Sequence, residues 1–279
     1  MRLRKAVIFS LIALLISLCG CSSDSTNRTA PEVTGEFGFA VLKAGQADAI
    51  IMQSENHCVI IDCGEKDDGD DVVRYLENNG IDKVDYLFIT HFDKDHVGGV
   101  PKVLDGVGVG EVITPAYSGT NSEYAKYISA AGEHNITPTE LTDDMTFILD
   151  DVLFEVYPPQ KTSYAEGDND FSLVISVTHG DNRFLFAGDA EKERLSEIME
   201  QVSGEFDFLK IPHHGRYNKN TNAFFKAVKP DYAVITDSEK KTAEDKTVAS
   251  LESAGISVYY TRNGDVNVTS DGEKIIINQ

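Results

Sequence analysis

Two imidazoles and two carboxylates crowd into six residues, His91-Phe92-Asp93-Lys94-Asp95-His96. Nitrogen and oxygen donors this closely spaced, on a turn whose loop can converge them, are what a divalent cation requires. Gly98 and Gly99 follow, so the backbone can pass close behind. A solvated acidic turn that happens to contain histidine is the plainer alternative. Two further motifs favour the metal: Asp189 in Leu185-Phe186-Ala187-Gly188-Asp189-Ala190, and His213-His214 in Lys210-Ile211-Pro212-His213-His214-Gly215. Alone, Asp189 would serve equally well as a turn or helix cap. Beside the other two motifs it reads as a ligand shared between two ions.

Each motif ends an apolar run, which is where an α/β scaffold presents site residues. Short apolar runs alternate with helical patterns from Phe37 to the end, predicting an α/β architecture without an internal linker. Strands are predicted at 39–42, 47–52, 59–61, 85–90, 111–114, 152–157, 173–177, 183–187, 206–211, 232–236, 258–261 and 274–277. Helices are predicted over 71–79, closed by Gly80, from Ser122, over 191–202, near Ala223 and through Val248 and Leu251.

The chain of 279 residues carries 25 Lys+Arg against 46 Asp+Glu, a net charge of −21. Such a surface repels polyanions and argues against a protein that coats nucleic acid by bulk electrostatics, though a local basic site stays open. At 41% hydrophobic residues the chain can bury a core, which excludes wholesale disorder. Four cysteines make no disulfide framework. Cys58 and Cys63 lie on one β-branched run, about 16 Å apart along a strand, too far to pair and predicted free and buried.

Arg2, Arg4 and Lys5 precede an uncharged apolar run from Ala6 to Leu18. As a helix that run spans about 20 Å, short of the ~30 Å hydrocarbon core, so it reads as a secretion signal over 1–20 rather than a spanning anchor. Leu18-Cys19-Gly20-Cys21 resembles a bacterial lipobox, which implies cleavage before Cys21 and lipidation of Cys21. Residues 21–35, rich in Ser, Thr, Asn and Pro, read as a tether, leaving a folded domain over 36–279. The expected product is an extracytoplasmic lipoprotein anchored in a bacterial membrane.

In order along the chain, Gly45-Gln46-Ala47-Asp48-Ala49, Ile60-Ile61-Asp62-Cys63-Gly64, His91 to His96, Asn169-Asp170-Phe171-Ser172-Leu173-Val174, Gly188-Asp189-Ala190 and His213-His214-Gly215 together resemble the metallo-β-lactamase superfamily of two-metal hydrolases. Within it the likeness is to the nuclease-like domain of the ComEC competence proteins. The resemblance implies an αββα sandwich of two mixed sheets with the metals at the sheet edge. It implies that His91 and Asp93 hold one metal, that Asp95, His96 and His214 hold the other, and that Asp189 bridges them. Asp48, Asp62 and Asn169 would stand behind these ligands, with an ordinary strand-end turn as the alternative for Asp62. Asp93 stands where β-lactam-binding members usually have His. The usual third histidine of the first metal is replaced by Asn169 and Asp170. A harder, more anionic site results, suited to two Zn²⁺ or Mn²⁺ ions and an oxygen-rich substrate.

Two cations about 3.5 to 4 Å apart bring the pKa of a shared water to about 7, so solvent can be the nucleophile. Asp95 would orient it and His213 would neutralise charge on a phosphoryl oxygen, making these two the expected catalytic residues. Arg216 and Lys219 offer cations suited to phosphate, or belong to a solvated loop. The expected substrate is a phosphodiester, a nucleic acid or a teichoic-acid-like polymer, with no protein partner. ComEC relatives usually have Ser-Lys-Thr after the histidine pair and a further His-containing motif where this chain has Thr236-Asp237-Ser238-Glu239-Lys240-Lys241, which counts against DNA specificity. Other readings are a β-lactam or lactone hydrolase, a phosphorylcholine esterase, and a lipoprotein that binds a ligand without catalysis.

Overall fold

The computed structural model describes residues 33–165 and 167–279. The leader, Cys21 and all but the last three residues of the tether lie outside the described residues. From the first strand onward the chain forms β1 (Phe37–Val41), β2 (Ala49–Gln53), β3 (Cys58–Cys63), α1 (Asp68–Asn78), β4 (Lys83–Phe88), the short helices α2 (Lys94–Val97) and α3 (Val100–Gly106), β5 (Gly108–Pro115), α4 (Ser122–Glu133) and β6 (Thr139–Leu141). Then come β7 (Met145–Leu149), β8 (Val152–Tyr157), β9 (Val174–His179), β10 (Asn182–Phe186), α5 (Lys192–Gln201), β11 (Phe208–Lys210), α6 (Thr221–Val228), β12 (Tyr232–Ile235), α7 (Asp245–Ala254), β13 (Ser257–Tyr260), β14 (Val266–Ser270) and β15 (Ile275–Asn278).

The strands make two mixed sheets, ordered β15-β14-β1-β2-β3-β4-β5-β6 and β13-β12-β11-β10-β9-β8-β7. Their inner faces share one core in which Phe39 meets Phe184, Phe186 and Phe208 edge-on at centroid distances of 5.0 to 5.3 Å. Val72 and Leu76 of α1, Val103 and Leu104 of α3 and Tyr127 of α4 pack on the outer face of the first sheet. Leu195 and Ile198 of α5, Phe224 and Phe225 of α6 and Leu251 of α7 cover the second. The layering is therefore αββα, as the resemblance implied. Strand β3 shows why its run is continuously apolar: Val59 and Ile61 face the shared core while Cys58 and Ile60 face the helices. Cys58 and Cys63 are free and buried.

Five elements are absent from the sequence reading: α2, α3, β6, β7 and β14. Strand β6 has three residues, too few for a period, and β7 is a sheet edge of mostly half-buried residues. Strand β14 buries Val266, Val268 and Ser270 and exposes Asn267 and Thr269, residues that weaken a strand signal. Helices α2 and α3 are packed tightly against the loop after β3. A Cβ on Gly99 would lie 2.1 Å from the Cys63 carbonyl oxygen and 2.9 Å from Gly69 N, so only glycine fits there.

Parallel pairing of β3 with β4, and of β10 with β11 and β12, brings the carboxyl ends of these strands to one edge of the sandwich. The chemistry-bearing motifs all follow those ends.

Candidate metal centre

Strand β3 ends in a bulge. Ala49 pairs with Cys63 and Ile50 with Ile61, so Asp62 is the extra residue, in the left-handed region at φ 58°. This turns its carboxylate inward, where it is fully buried. It accepts from the Thr90 N–H at 2.8 Å, the Thr90 hydroxyl at 2.7 Å and His96 Nδ1 at 2.8 Å. His213 and His214 are left-handed in succession, φ 47° and 51°, on the turn after β11. Tandem strained residues persist only where surrounding structure holds them, and here they aim two imidazoles in different directions.

The result is a ring of donors. His96 Nε2 lies 3.3 Å and His214 Nε2 3.1 Å from Asp189 Oδ2, and His214 Nε2 lies 3.6 Å from Asp95 Oδ2. His91 Nε2 lies 3.7 Å from Asp93 Oδ2. His91, His96 and Asp189 offer atoms within 4.8 Å of one another, as do Asp95, His96 and His214. His96 therefore stands between the two groups, rather than with Asp95 and His214 alone.

The Nε2 atoms of His91, His96 and His214 are buried and without a hydrogen-bond partner. Their Nδ1 atoms are all engaged: His91 with the Thr90 hydroxyl at 3.1 Å, His96 with Asp62, and His214 with the Thr236 hydroxyl at 2.8 Å. An ionised Asp62 can only accept, which places a proton on His96 Nδ1 and turns Nε2 toward the ring. Metal-ligating histidines show this pattern, one nitrogen tied to the protein and the other aimed at the ion. A third group, Asp48, Asp62 and His96, gathers on the Nδ1 side. Its oxygens are already spoken for by Thr90, Thr236 and Lys210, so it supports the ring rather than adding a site.

Electrostatics agree with the donor set. Burial opposes a charged His214, but Asp189, Asp95 and Asp48 outweigh it and push its pKa up to about 9. His96 is driven well above its ordinary value against the same burial, by Asp189 and Asp62. Burial would raise Asp189, yet His214, His96 and Lys210 hold it well below the carboxylate range, and Asp95 is lowered in the same way, mainly by His214 and His96. A pocket that favours protons on imidazoles favours any cation in their place, so metal and proton compete for it.

Behind Asp189 sits Lys210, fully buried, which the sequence reading left without a role. Its Nζ pairs with Asp48, donates to the Gly188 carbonyl at 3.1 Å and lies 3.5 Å from Asp189 Oδ1. Asp48 also accepts from the Thr236 hydroxyl at 2.7 Å. Ser172 links the remaining pieces, accepting from the Asp189 N–H at 3.1 Å near His91 Nδ1. Gly188, at φ 50°, keeps this approach open, because a Cβ there would meet Ser172 Oγ at 2.8 Å and Thr90 Cβ at 2.9 Å.

His213 stands at the edge of the ring: its Nδ1 lies 2.7 Å from Glu191 Oε1 and its Nε2 3.8 Å from Asp189 Oδ2. Asn169 Nδ2 bonds Glu191 at 3.2 Å and approaches His213 Nε2 at 3.4 Å, so Asn169 supports His213 and not His91, His96 or His214. Asp170 caps α5 through the N–H groups of Glu191 and Arg194. Arg216 and Lys219 are exposed on the following loop, and among the described residues no hydrogen bond or ion pair joins their side chains to the ring. Arg216 lies near enough to Glu191 to lower its pKa, after the larger effect of His213.

Residues 42–236 match the family described as the metallo-beta-lactamase superfamily. The chain belongs to that superfamily, whose members are generally metal-dependent hydrolases, and its donor ring offers groups that could hold metal ions. Among curated relatives it is similar to Recombination protein 2 of Haemophilus influenzae, 26% identical over 200 residues that make up 70% of this chain and 23% of that one. It is also similar to ComE operon protein 3 of Bacillus subtilis, 28% identical over 166 residues, 59% of this chain and 21% of that one. It thus spans less than a quarter of the length of these relatives. A solved structure described as a new diphosphatase from the PhnP family covers 86% of this chain and 98% of its own with TM-score 0.54 at 14% identity, a likeness of fold.

Proposed function

We propose that the protein is a metal-dependent phosphodiesterase, tethered outside the cytoplasm through lipid on Cys21. The observation that carries the enzymatic part is the convergence of three buried, unpartnered imidazole nitrogens on the carboxylates of Asp189, Asp95 and Asp93. His91 and Asp93 would hold one divalent ion and Asp95 and His214 the other, with His96 and Asp189 between them. Zn²⁺ and Mn²⁺ both suit mixed nitrogen and oxygen donors. When bound, the ions supply Lewis acidity and an acidified water. The description of the diphosphatase that shares this fold supports phosphate chemistry, and the carboxylate-rich donor set supports an oxygen-rich substrate.

The chain's own groups have distinct tasks. Asp95, ionised and partly open to solvent, accepts a hydrogen bond from the attacking water and keeps it aligned. Glu191 fixes the His213 ring through Nδ1, which leaves Nε2, 3.8 Å from Asp189 Oδ2, on the side where it would meet a phosphoryl oxygen. Thr90, Asp62 and Thr236 lock the imidazoles, so they need no rearrangement during the reaction.

Bis-p-nitrophenyl phosphate should be cleaved with added Mn²⁺ or Zn²⁺, and a chelator should abolish the rate. Asp95→Ala should lower kcat by about 10²–10⁴, because it removes both a group that would hold an ion and the one that aligns the water. A rate that survives both chelation and Asp95→Ala would refute the proposal.

A further inference from the structure

We propose that a cleft beside the ring binds a second phosphate of the substrate, so that the natural substrate is a phosphodiester polymer read through its backbone. The proposal rests on the phosphodiesterase reading above. The cleft has a volume of about 340 Å³ and lies between three loops: Ala44 to Gln46, Glu65 to Asp68, and Ser238 with Lys240 and Lys241. Each loop adjoins the ring's supports, since Asp48 follows Gln46, Asp62 precedes Glu65 and Thr236 precedes Ser238. Glu65 also takes an ion pair from Lys94, between Asp93 and Asp95.

The charges lining the cleft are unevenly paired. Glu65 is paired with Lys94 at 2.8 Å and Asp67 with Lys102 at 3.5 Å, while Asp68 accepts the Glu65 N–H at 2.7 Å. Lys66, Lys240 and Lys241 are exposed and, among the described residues, have no carboxylate within 4.0 Å. Among the described residues three lysines without an ion-pair partner thus line one cleft, against the single unpaired carboxylate of Asp68, in a chain of net charge −21. The turn that carries two of them is fixed: Ser238 N–H donates to the Lys241 carbonyl at 3.1 Å, and Lys241 N–H donates to the Ser238 carbonyl at 3.2 Å. Exposed Glu239 on the same turn is outside the lining. Among the described residues the cleft has no aromatic lining residue on which a base could stack, so recognition is of backbone charge and independent of sequence.

The test compares the full-length protein with the triple variant Lys66→Ala, Lys240→Ala, Lys241→Ala, and with the three corresponding Arg substitutions. Binding of fluorescein-labelled single-stranded oligothymidylate is followed by anisotropy in the presence of a chelator. The Ala variant should bind at least about tenfold more weakly, with a logarithmic salt slope smaller by about 0.7 for the one phosphate lost, while the Arg variant binds as the native chain does. With metal added, the Ala variant should show a raised KM for the oligonucleotide and an unchanged kcat/KM for bis-p-nitrophenyl phosphate, which has one phosphate. Oligothymidylate bound equally by native and Ala proteins, or by neither, overturns the cleft assignment. Bis-p-nitrophenyl phosphate left intact by the native protein overturns the phosphodiesterase reading, while the anisotropy still decides the cleft.

Discussion

Asp189→Ala should remove at least one of the two divalent ions proposed for the native protein and reduce kcat/KM for bis-p-nitrophenyl phosphate by about 10³ or more, the several kcal/mol that a lost Lewis acid represents. Its Oδ2 lies 3.3 Å from His96 Nε2 and 3.1 Å from His214 Nε2. No neighbouring carboxylate can replace it, because Asp48 and Asp62 are turned to the Nδ1 side of the histidines. Elemental analysis and steady-state kinetics on one preparation check both effects. Native metal content in the variant would show that Asp189 is a structural carboxylate held by Lys210.

Lys210→Met should destabilise the protein by about 3–5 kcal/mol, because it leaves the buried carboxylates of Asp48 and Asp189 without their cation. For a domain of this size that is a fall of roughly 10 °C in Tm. The loss should be largest with a chelator present. It should shrink with saturating Zn²⁺ or Mn²⁺, since an ion bound on the other side of Asp189 compensates part of the charge and adds its own binding free energy. Thermal unfolding with and without metal measures both. A Tm unchanged in the chelated protein would mean that the buried pair contributes nothing net.

The donor ring was legible because its residues are polar groups placed directly after apolar runs. His91, Asp189 and His214 each occupy such a place, and β3, β4, β10, β11 and β12 were all predicted as strands. What stays hidden is pairing across the sheets. Lys210 interrupts the apolar run Phe208-Leu209-Lys210-Ile211, a visible anomaly. Its partner Asp48, however, lies 162 positions earlier, and only the sandwich brings them together. Thr236, which fixes His214, looks like any strand-end threonine. The bulge at Asp62 depends on how β2 pairs with β3, so a single strand's pattern cannot reveal it. Arg216 and Lys219 drew notice by residue type, whereas Lys66, Lys240 and Lys241 gain meaning only once three distant loops line one cleft.

Anomalous diffraction at the zinc and manganese edges, from crystals grown with each ion, tests the central claim most directly. Strong peaks are predicted within the ring of His91, Asp93, Asp95, His96, Asp189 and His214. Peaks only at surface carboxylates such as Asp67, Asp70 and Asp71, with none in the ring, would contradict it.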